Sequence, residues 1–327
     1  MWAFVGIAVI KVLVVFTAML LIVAYMTLME RKVLGHMQVR YGPNRVGPFG
    51  LLQPIADGLK LFFKEDIFVP YSNRIIYTLA PAVIVITALV SYAVIPFGDS
   101  IEIWGYKIDL VVADVNVGLL YLLAISSLGV YGIVMGGWAS NNKYSLLGSI
   151  RSSAQMISYE ISLGLSLIGV LMLAGSLSMV KIVEAQADMW FIVYQPLGFI
   201  IYFISALAEC SRTPFDLTEC ENELVAGYQT EYSSMKFGLY YLAEYAHILV
   251  VSSVAVTLFF GGWQGPFLPP VIWFLIKVFI FIFIFIWIRA TYPRLRYDQL
   301  MQFGWKVLLP LALLNIMVTA LIISLQA

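Results

Sequence analysis

Acidic residues crowd one short stretch of the sequence. Between Glu209 and Tyr228 the chain reads ECSRTPFDLTECENELVAGY. Five of the chain's 19 acidic residues lie there, namely Glu209, Asp216, Glu219, Glu221 and Glu223. Carboxylates so close together repel one another at low dielectric, so some of them hold a proton near neutral pH and their titrations are coupled. This group could accept or release protons when a nearby charge changes.

Three more glutamates, Glu30, Glu160 and Glu244, lie within or at the end of long apolar segments. An ionisable group inside the bilayer costs several kcal/mol, so it usually faces water or a protein interior and marks a pathway. Each glutamate alone could instead pair with a base or cap a helix. Together with Glu209 they fall at comparable depth beside the acidic stretch, which favours a proton pathway.

The other reactive side chains do not indicate a further functional site. His36 and His247 are isolated and are interpreted as structural, and Lys11 and Lys277 are expected to reach the membrane surface along their own helices. Cys210 and Cys220 are too few for an iron–sulfur cluster, and no zinc-type spacing is present, so no metal site is predicted. The sequence shows no nucleophile–base pair, phosphate-binding glycine loop or dinucleotide fingerprint.

The elements that position these residues must be membrane helices. The 327 residues are 61% hydrophobic and only 12% charged, about half the charge of a soluble domain. Net charge is zero, so nothing indicates nucleic-acid binding. We therefore predict an all-α polytopic membrane protein, with residues 1–327 forming a single integral-membrane domain.

Eight segments are apolar and long enough to cross a bilayer as helices of about 20 residues. They are residues 4–29, 75–96, 113–138, 155–178, 190–208, 236–260, 269–288 and 306–325. Fifteen of the 19 basic residues lie at the ends of the bundle joined by the connections after helices one, three, five and seven: thirteen within those connections, and Lys236 and Lys306 at the first position of the helices that follow. The positive-inside rule then places these connections (30–74, 139–154, 209–235 and 289–305) on the inner side and both termini on the outer, periplasmic side.

The first inner connection carries two further signals. Gly42, Pro43, Gly47 and Pro48 predict a stiff, turn-rich segment that lets the backbone approach a partner closely. Residues 51–66 then have apolar side chains on one helical face and charged ones on the other. We predict an amphipathic helix that lies in the membrane surface and could form the lower wall of an opening through which an apolar ligand enters. A membrane-surface helix without such a role fits the same pattern.

Three motifs carry a family resemblance. They are ERKVLGHMQVRYGPNRVGPFGLLQPIADGLKLFFKED, SAQMISYEISLG and AECSRTPFDLTECENELVAGYQTEYSSMKFGLYYLAEY. They closely resemble the eight-helix membrane subunit of respiratory complex I, the proton-pumping NADH:quinone oxidoreductase, which is the H-type subunit in bacteria and the first subunit in mitochondria. The resemblance covers essentially the whole chain. Thr213, Thr218 and Cys220 depart from the residues common in that family, at positions where it varies.

The resemblance implies a role for particular residues. Those matching positions that line the family's quinone chamber are Glu30, Arg31, Arg40 and Asp57. Those matching the acidic route from the chamber toward the pumps are Glu160, Glu209, Glu219, Glu221, Glu223 and Glu244, and Asp216 lies in the same loop. The chain would then be an enzyme only as a part of the complex, with no catalysis on its own.

The resemblance also implies the surroundings of the chain. It would bind no cofactor itself but take quinone (ubiquinone or a relative) as substrate, while NADH, FMN and iron–sulfur clusters are held by partner subunits. The expected partners are peripheral-arm subunits of the quinone site, small membrane subunits and lipids, with no nucleic acid. The expected location is an energy-transducing membrane, the inner membrane of a bacterial cell, within the respiratory electron-transport chain.

Two other functions fit parts of the sequence. An ion-translocating hydrogenase-type complex contains an equivalent subunit of the same fold, and its neighbouring subunits would tell the two apart. A stand-alone ion transporter would conduct ions without partners. The absence of inverted repeats with symmetrically broken helices argues against that transporter.

Overall fold

Long helices account for most of the chain in this computed structural model, which describes residues 2–103, 106–216 and 224–326. The helices of this part are α1 (Trp2–Met37), α2 (Gln53–Phe63), α3 (Arg74–Ser91), α4 (Gly118–Ala139), α5 (Lys143–Ala174), α6 (Met179–Glu184), α7 (Phe191–Tyr194), α8 (Pro196–Glu209), α9 (Ser234–Phe259), α10 (Pro270–Thr291), α11 (Tyr297–Phe303) and α12 (Leu309–Gln326). One π-helical turn, Gly304–Leu308, joins α11 to α12.

Seven helical spans in the described ranges are long and apolar enough to cross a membrane. They are Gly6–Met37, Arg74–Val94, Gly118–Ala139, Lys143–Ala174, Ser234–Phe259, Pro270–Thr291 and Tyr297–Leu325. The predicted segment at 190–208 differs, because it folds as α7 and the 14-residue α8. Pro196 cannot continue α7, since it lacks the N–H that a helix interior requires.

Several helices extend further than their apolar runs predict. α1 continues to Met37 rather than 29, and α5 begins at Lys143 rather than 155. The predicted connection 139–154 is therefore mostly helical, and so is part of 289–305, where α11 lies. Asn142 explains the early start of α5, because its side chain accepts a hydrogen bond from the Tyr144 amide at 2.9 Å and caps the helix. Hydropathy predicts only the apolar part of such helices and not their polar ends.

The bundle has two unlike ends. We call "charged side" the end where α1, α4, α8 and α10 finish and α9 begins, and "far side" the opposite end. On the far side, the connection between α3 and α4 contains a short antiparallel hairpin, β1 (Ser100–Ile103) and β2 (Tyr106–Asp109), in which Ser100 pairs with Asp109. The all-α prediction missed this hairpin because it lies outside the apolar segments from which that prediction was made.

Helix α9 is the centre of the packing. In its most apolar stretch 83% of residues are buried, against 11% for α1. α5 packs against α4 and α8 and buries many small residues, including Ser149 and Ser162, and small residues let membrane helices approach closely. Gly137 of α4 lies directly against Ser149, where an added Cβ would overlap it. Gly137 therefore allows α4 and α5 to approach each other closely.

Two apolar cavities lie toward the far side, next to α1. One of about 420 Å³ is bounded by α1, α10 and the chain before α4, with Ile10, Tyr92 and Phe274 in its wall. The other, of about 310 Å³, lies between α1 and α3, with Phe16 and Leu89 in its wall. The half of α1 nearest the N-terminus therefore packs loosely against the bundle.

Lys277 of α10 does not run outward to the membrane surface as expected. It is buried, and its Nζ donates to the carbonyl oxygens of Phe260, Gly262 and Gln264 at 2.7, 3.0 and 2.7 Å. Its ammonium also lies 4.6 Å from the centre of the Trp190 ring. These carbonyls belong to the turn after α9, so Lys277 fixes the far-side end of the central helix.

Candidate functional site

The charged side begins with α2, which lies across the ends of α1 and α9. Ser234 donates to the Leu61 carbonyl at 3.0 Å, and Arg31 contacts Asp57 at 2.5 Å. No residue of α2 is buried, and its apolar side chains, including Ile55 and Phe62, are exposed. This arrangement is typical of an amphipathic helix whose apolar face contacts lipid. The helix is shorter than predicted, Gln53–Phe63 instead of 51–66.

The turn-rich segment before α2 folds back against the end of α1. Gly35 and Gly42 are in close contact, and a Cβ on Gly42 would lie 2.9 Å from Lys32 Cα. Gly50 has φ +76°, and a Cβ there would overlap the Pro43 carbonyl. Glycine is required at such positions because other residues are strained at positive φ. These contacts set the position of α2 beside α1.

Glu30, near the end of α1, is only 6% exposed and is held by three side chains. Tyr245 of α9 donates to its Oε2 at 2.7 Å, and Arg289 of α10 forms an ion pair with Oε1. Arg212, from the connection after α8, places Nη1 3.7 Å from the same oxygen. A buried carboxylate needs such pairing to remain charged.

Arg212 also faces a second glutamate. Its Nη2 lies 3.7 Å from Glu244 Oε2, and its guanidinium lies 4.6 Å from the Tyr245 ring centre. The other oxygen of Glu244 accepts hydrogen bonds from Gln229 at 2.9 Å and from Tyr228 at 3.3 Å. Arg212 therefore links Glu30 of α1 to Glu244 of α9 through one delocalised charge.

Glu209 is the last residue of α8, but it does not lie at the membrane surface. Its Oε1 is 3.2 Å from Nε2 of His247, which lies in the middle of the 26-residue α9. Ser126 of α4 donates to the same oxygen at 2.7 Å. Glu160 of α5 is near enough for the charges of Glu209 and His247 to act on it. The short α8 thus brings the start of the acidic stretch into the interior.

A cavity connects the two groups of acids. Glu209, Glu244 and His247 all line it, together with hydroxyls such as those of Ser126 and Tyr240. The volume open to the centres of water molecules is about 50 Å³, and one water needs roughly 10–15 Å³ by that measure. The space therefore fits a few waters, and its polar wall offers them hydrogen-bond partners.

The chain after α8 is irregular yet buried. Gln155 of α5 donates to the carbonyl oxygens of Ala208 and Phe215 at 2.8 and 2.9 Å. Asp216 is buried and contacts Arg294 at 3.1 Å. Non-helical backbone at membrane depth requires partners of this kind. Glu219, Glu221 and Glu223, which the sequence placed in the same route, lie outside the described residues.

A cluster of tyrosines holds the connection that leads into α9. Tyr232 stacks on Tyr77 of α3 with ring centres 4.2 Å apart and packs edge-on against Tyr240. The Tyr232 hydroxyl donates to the Gly136 carbonyl at 3.4 Å. Burial raises the pKa of Tyr232 to about 12, so the hydroxyl remains a donor at neutral pH. The cluster fixes Tyr228 and Gln229 beside Glu244.

The structure thus brings Glu30, Glu209 and Glu244 into one network, with Glu160 beside it. Arg31 and Asp57 pair at its edge, while Arg40 is exposed, and its Nε donates to Gln38 at 2.7 Å.

Four side chains of this network were not predicted from the sequence to belong to it, namely Arg212, Tyr245, His247 and Arg289. His247 could have been found, because it lies three residues beyond Glu244, and residues three apart share a helical face. Tyr245, one residue beyond Glu244, is not singled out by helical spacing. Arg212 and Arg289 carry no comparable signal, since they meet Glu30 only through the packing of distant segments.

Comparisons with known proteins agree with this arrangement. A family model described as NADH dehydrogenase matches residues 10–320. The chain is 58% identical to an H-type subunit of the NADH-quinone oxidoreductase of Geobacter sulfurreducens, over 97% of this chain and 95% of the relative. It is 58% identical to the corresponding protein of Syntrophobacter fumaroxidans, over 94% and 93% of the two chains. It is also 56% identical to that of Protochlamydia amoebophila, over 91% of each. The chain belongs to the NADH dehydrogenase family.

Proposed function

We propose that this chain is the H-type membrane subunit of a proton-translocating NADH:quinone oxidoreductase. It forms part of the quinone chamber and couples quinone reduction to proton movement through its buried carboxylates. The observation that carries the proposal is the network from Glu30 through Arg212 and Glu244 to the water-sized cavity and Glu209. The names of the relatives support this function over the hydrogenase-type alternative.

The chamber lies where α2 meets α1 and α9. Quinone enters from lipid along the exposed apolar face of α2, and Glu30, Arg31, Arg40 and Asp57 surround its path. Because Arg31 and Asp57 are 43% and 33% exposed, their pair adds little stability, about 0–1 kcal/mol. Its role is to position charge at the entrance.

The relay begins at Glu30. A charge change in the chamber alters the electrostatic attraction between Glu30 and Arg212. When that attraction weakens, Arg212 interacts more strongly with Glu244. Protons redistribute among Glu244, the cavity, Glu209 and Glu160. The relay continues through Asp216 and through Glu219, Glu221 and Glu223 in the same connection toward partner subunits that pump protons.

The membrane arrangement completes the proposal. The chain crosses the membrane eight times, with α7 and α8 together forming the fifth crossing. The charged side faces the bacterial cytoplasm, and both termini face the periplasm. NADH, FMN and iron–sulfur clusters lie in partner subunits that cover the charged side, where they supply electrons to the quinone.

Two variants in the assembled complex test the coupling role. Glu244→Gln and Glu160→Gln should each lower coupled quinone reduction about tenfold or more, because an amide cannot carry the proton of a buried acid. The measurement is NADH:quinone reductase rate and proton uptake in inverted vesicles, normalised to complex on a native gel. Glu184→Gln, an exposed far-side change, is the control. Wild-type rates in both relay variants would overturn the proposal.

A further inference from the structure

His247 occupies the point where three acids meet. Its imidazole contacts Glu209 at 3.2 Å and lines the same cavity as Glu244. The titratable or charged groups around it are Glu209 from α8, the thiol of Cys210 next to it, Glu160 from α5, Glu244 from its own helix, Arg212 paired with Glu244, and the phenols of Tyr228 and Tyr240. α3 and α4 contribute the hydroxyls of Thr87, Ser91 and Ser126 to the cavity.

We propose that His247 is a proton-carrying residue that passes protons between the water of this cavity and Glu209. This inference rests on the proposed function and adds a member to its relay. The imidazole accepts one proton from cavity water and holds it as a cation. It then releases one proton through Nε2 to the Glu209 carboxylate. One proton enters and one leaves, so the ring returns to its neutral state.

Chemistry favours histidine for this step. It is the side chain whose ordinary charge change falls between about pH 5 and 8, so it can both gain and lose a proton at neutral pH. Its two ring nitrogens allow acceptance at one and release at the other. The acids around the cavity accept a proton as anions and become neutral, whereas the neutral ring of His247 becomes a cation when it accepts one.

The local field supports a transient cation. α8 ends at Glu209, so the partial negative charge of a helix C-terminus is directed at the space that His247 shares. Ser126 also donates to Glu209 Oε1 and fixes the carboxylate facing the ring. A positive imidazole is thereby stabilised between the end of α8 and the neighbouring glutamates.

The geometry also explains how the two acids communicate. Glu244 lies one helical turn before His247 on α9, and Glu209 belongs to another helix. The cavity holds only a few waters, so a proton leaving Glu244 meets the imidazole before it reaches Glu209. His247 therefore connects the half of the network organised by Arg212 to the half organised by α8.

The test uses the assembled complex with His247→Gln and His247→Phe. Glutamine retains a hydrogen-bonding group beside Glu209 but cannot be protonated, and phenylalanine retains volume alone. We expect both to lower coupled quinone reduction about tenfold at pH 7, since loss of a positioned acid–base group costs at least that much. Any part of the wild-type pH dependence that arises from protonation of this ring should be absent from the rate of both variants.

The matched control is His36→Gln, which changes an exposed histidine whose ring faces the Lys32 carbonyl. It should keep the wild-type rate and pH profile. Rates are normalised to complex on a native gel, and the pH profile of either assembled variant decides the question. The inference is overturned if His247→Gln retains the wild-type profile, or if its rate falls equally at every pH, as a structural role predicts. Failure of the proposed function is recognised separately, by wild-type rates in Glu244→Gln.

Discussion

A single arginine, Arg212, lies between buried Glu30 and partly buried Glu244, at 3.7 Å from each. Glu30 has further partners in Arg289 and Tyr245, and Glu244 has Gln229 and Tyr228. Protonating either glutamate would therefore leave the arginine attracted mainly to the other. In the proposed relay, this shared cation would let a charge change at the chamber act on Glu244.

Arg212→Lys should uncouple the two glutamates while preserving the charge. Lysine presents a compact ammonium in place of a planar fork, so it cannot face both carboxylates at once. We expect about a tenfold fall in proton uptake coupled to quinone reduction, measured in inverted vesicles. Arg296→Lys, at an exposed pair with Asp298, should change nothing. Equal coupling in the two variants would contradict the role given to Arg212.

Lys277→Met should destabilise the far side. The change leaves one buried and two partly buried carbonyl groups without this donor, and loss of the partner of a buried group costs about 1–3 kcal/mol. The expected outcome is faster thermal inactivation of the complex with an unchanged initial rate, because the site lies at the other end of α9. Lys11→Met, which loses one 3.3 Å contact to Val111, should have a much smaller effect.

At the scale of the elements, the positions of the site residues are set by where each helix begins and ends rather than by its length. α8 stops halfway along α9 and so delivers Glu209 to the interior, while α5 supplies Gln155 to hold the buried backbone after α8. Close contacts of small residues between α4 and α5 keep this arrangement rigid. A change that separates these two helices would move Ser126 and Glu160 relative to each other.

Gly137→Ala tests that contact. The new methyl group would overlap Ser149 across the α4–α5 interface, and overpacking of this kind costs about 1–3 kcal/mol. We expect less assembled complex on a native gel and lower thermal stability. Gly164→Ala, where an added methyl meets nothing within 4 Å, should assemble normally. Equal assembly of the two variants would contradict the prediction, because it would show that α4 and α5 can move apart at Gly137 without loss of the complex.

At the scale of the whole molecule, the features that depend only on neighbouring residues in the sequence were predictable. Apolar length gave seven of the spans, and the alternation of apolar and charged residues gave α2. The depth of Glu209 was not predictable, because it depends on how the irregular chain after α8 finds partners such as Gln155. Arg212 and Arg289 were missed for a similar reason, since they meet Glu30 only through contacts between distant segments. The burial of Lys277 likewise depends on the turn after α9.

Cysteine labelling tests the proposed topology. In a chain with Cys210 and Cys220 replaced by serine, a membrane-impermeant maleimide should label Lys181→Cys and Ser324→Cys from outside intact cells. Lys143→Cys should react only after permeabilisation. This pattern follows from eight crossings with basic connections facing inward. Labelling of Lys143→Cys from outside would reverse the orientation, and protection of Ser324→Cys alone would exclude eight crossings.

The apolar cavities beside α1 have an electrical consequence. A cavity with room for a few waters lies beside the middle of α9, whereas the spaces toward the far side have apolar walls that include Ile10, Phe16 and Phe274. A membrane potential falls mainly across the layer of lowest dielectric, at about 2.3 kcal/mol per charge for each 100 mV. We therefore expect the apolar far half of the bundle to bear most of the voltage. In the proposed relay, protons in the cavity would then stay nearly at the potential of the charged side and could move sideways toward partner subunits without crossing the membrane.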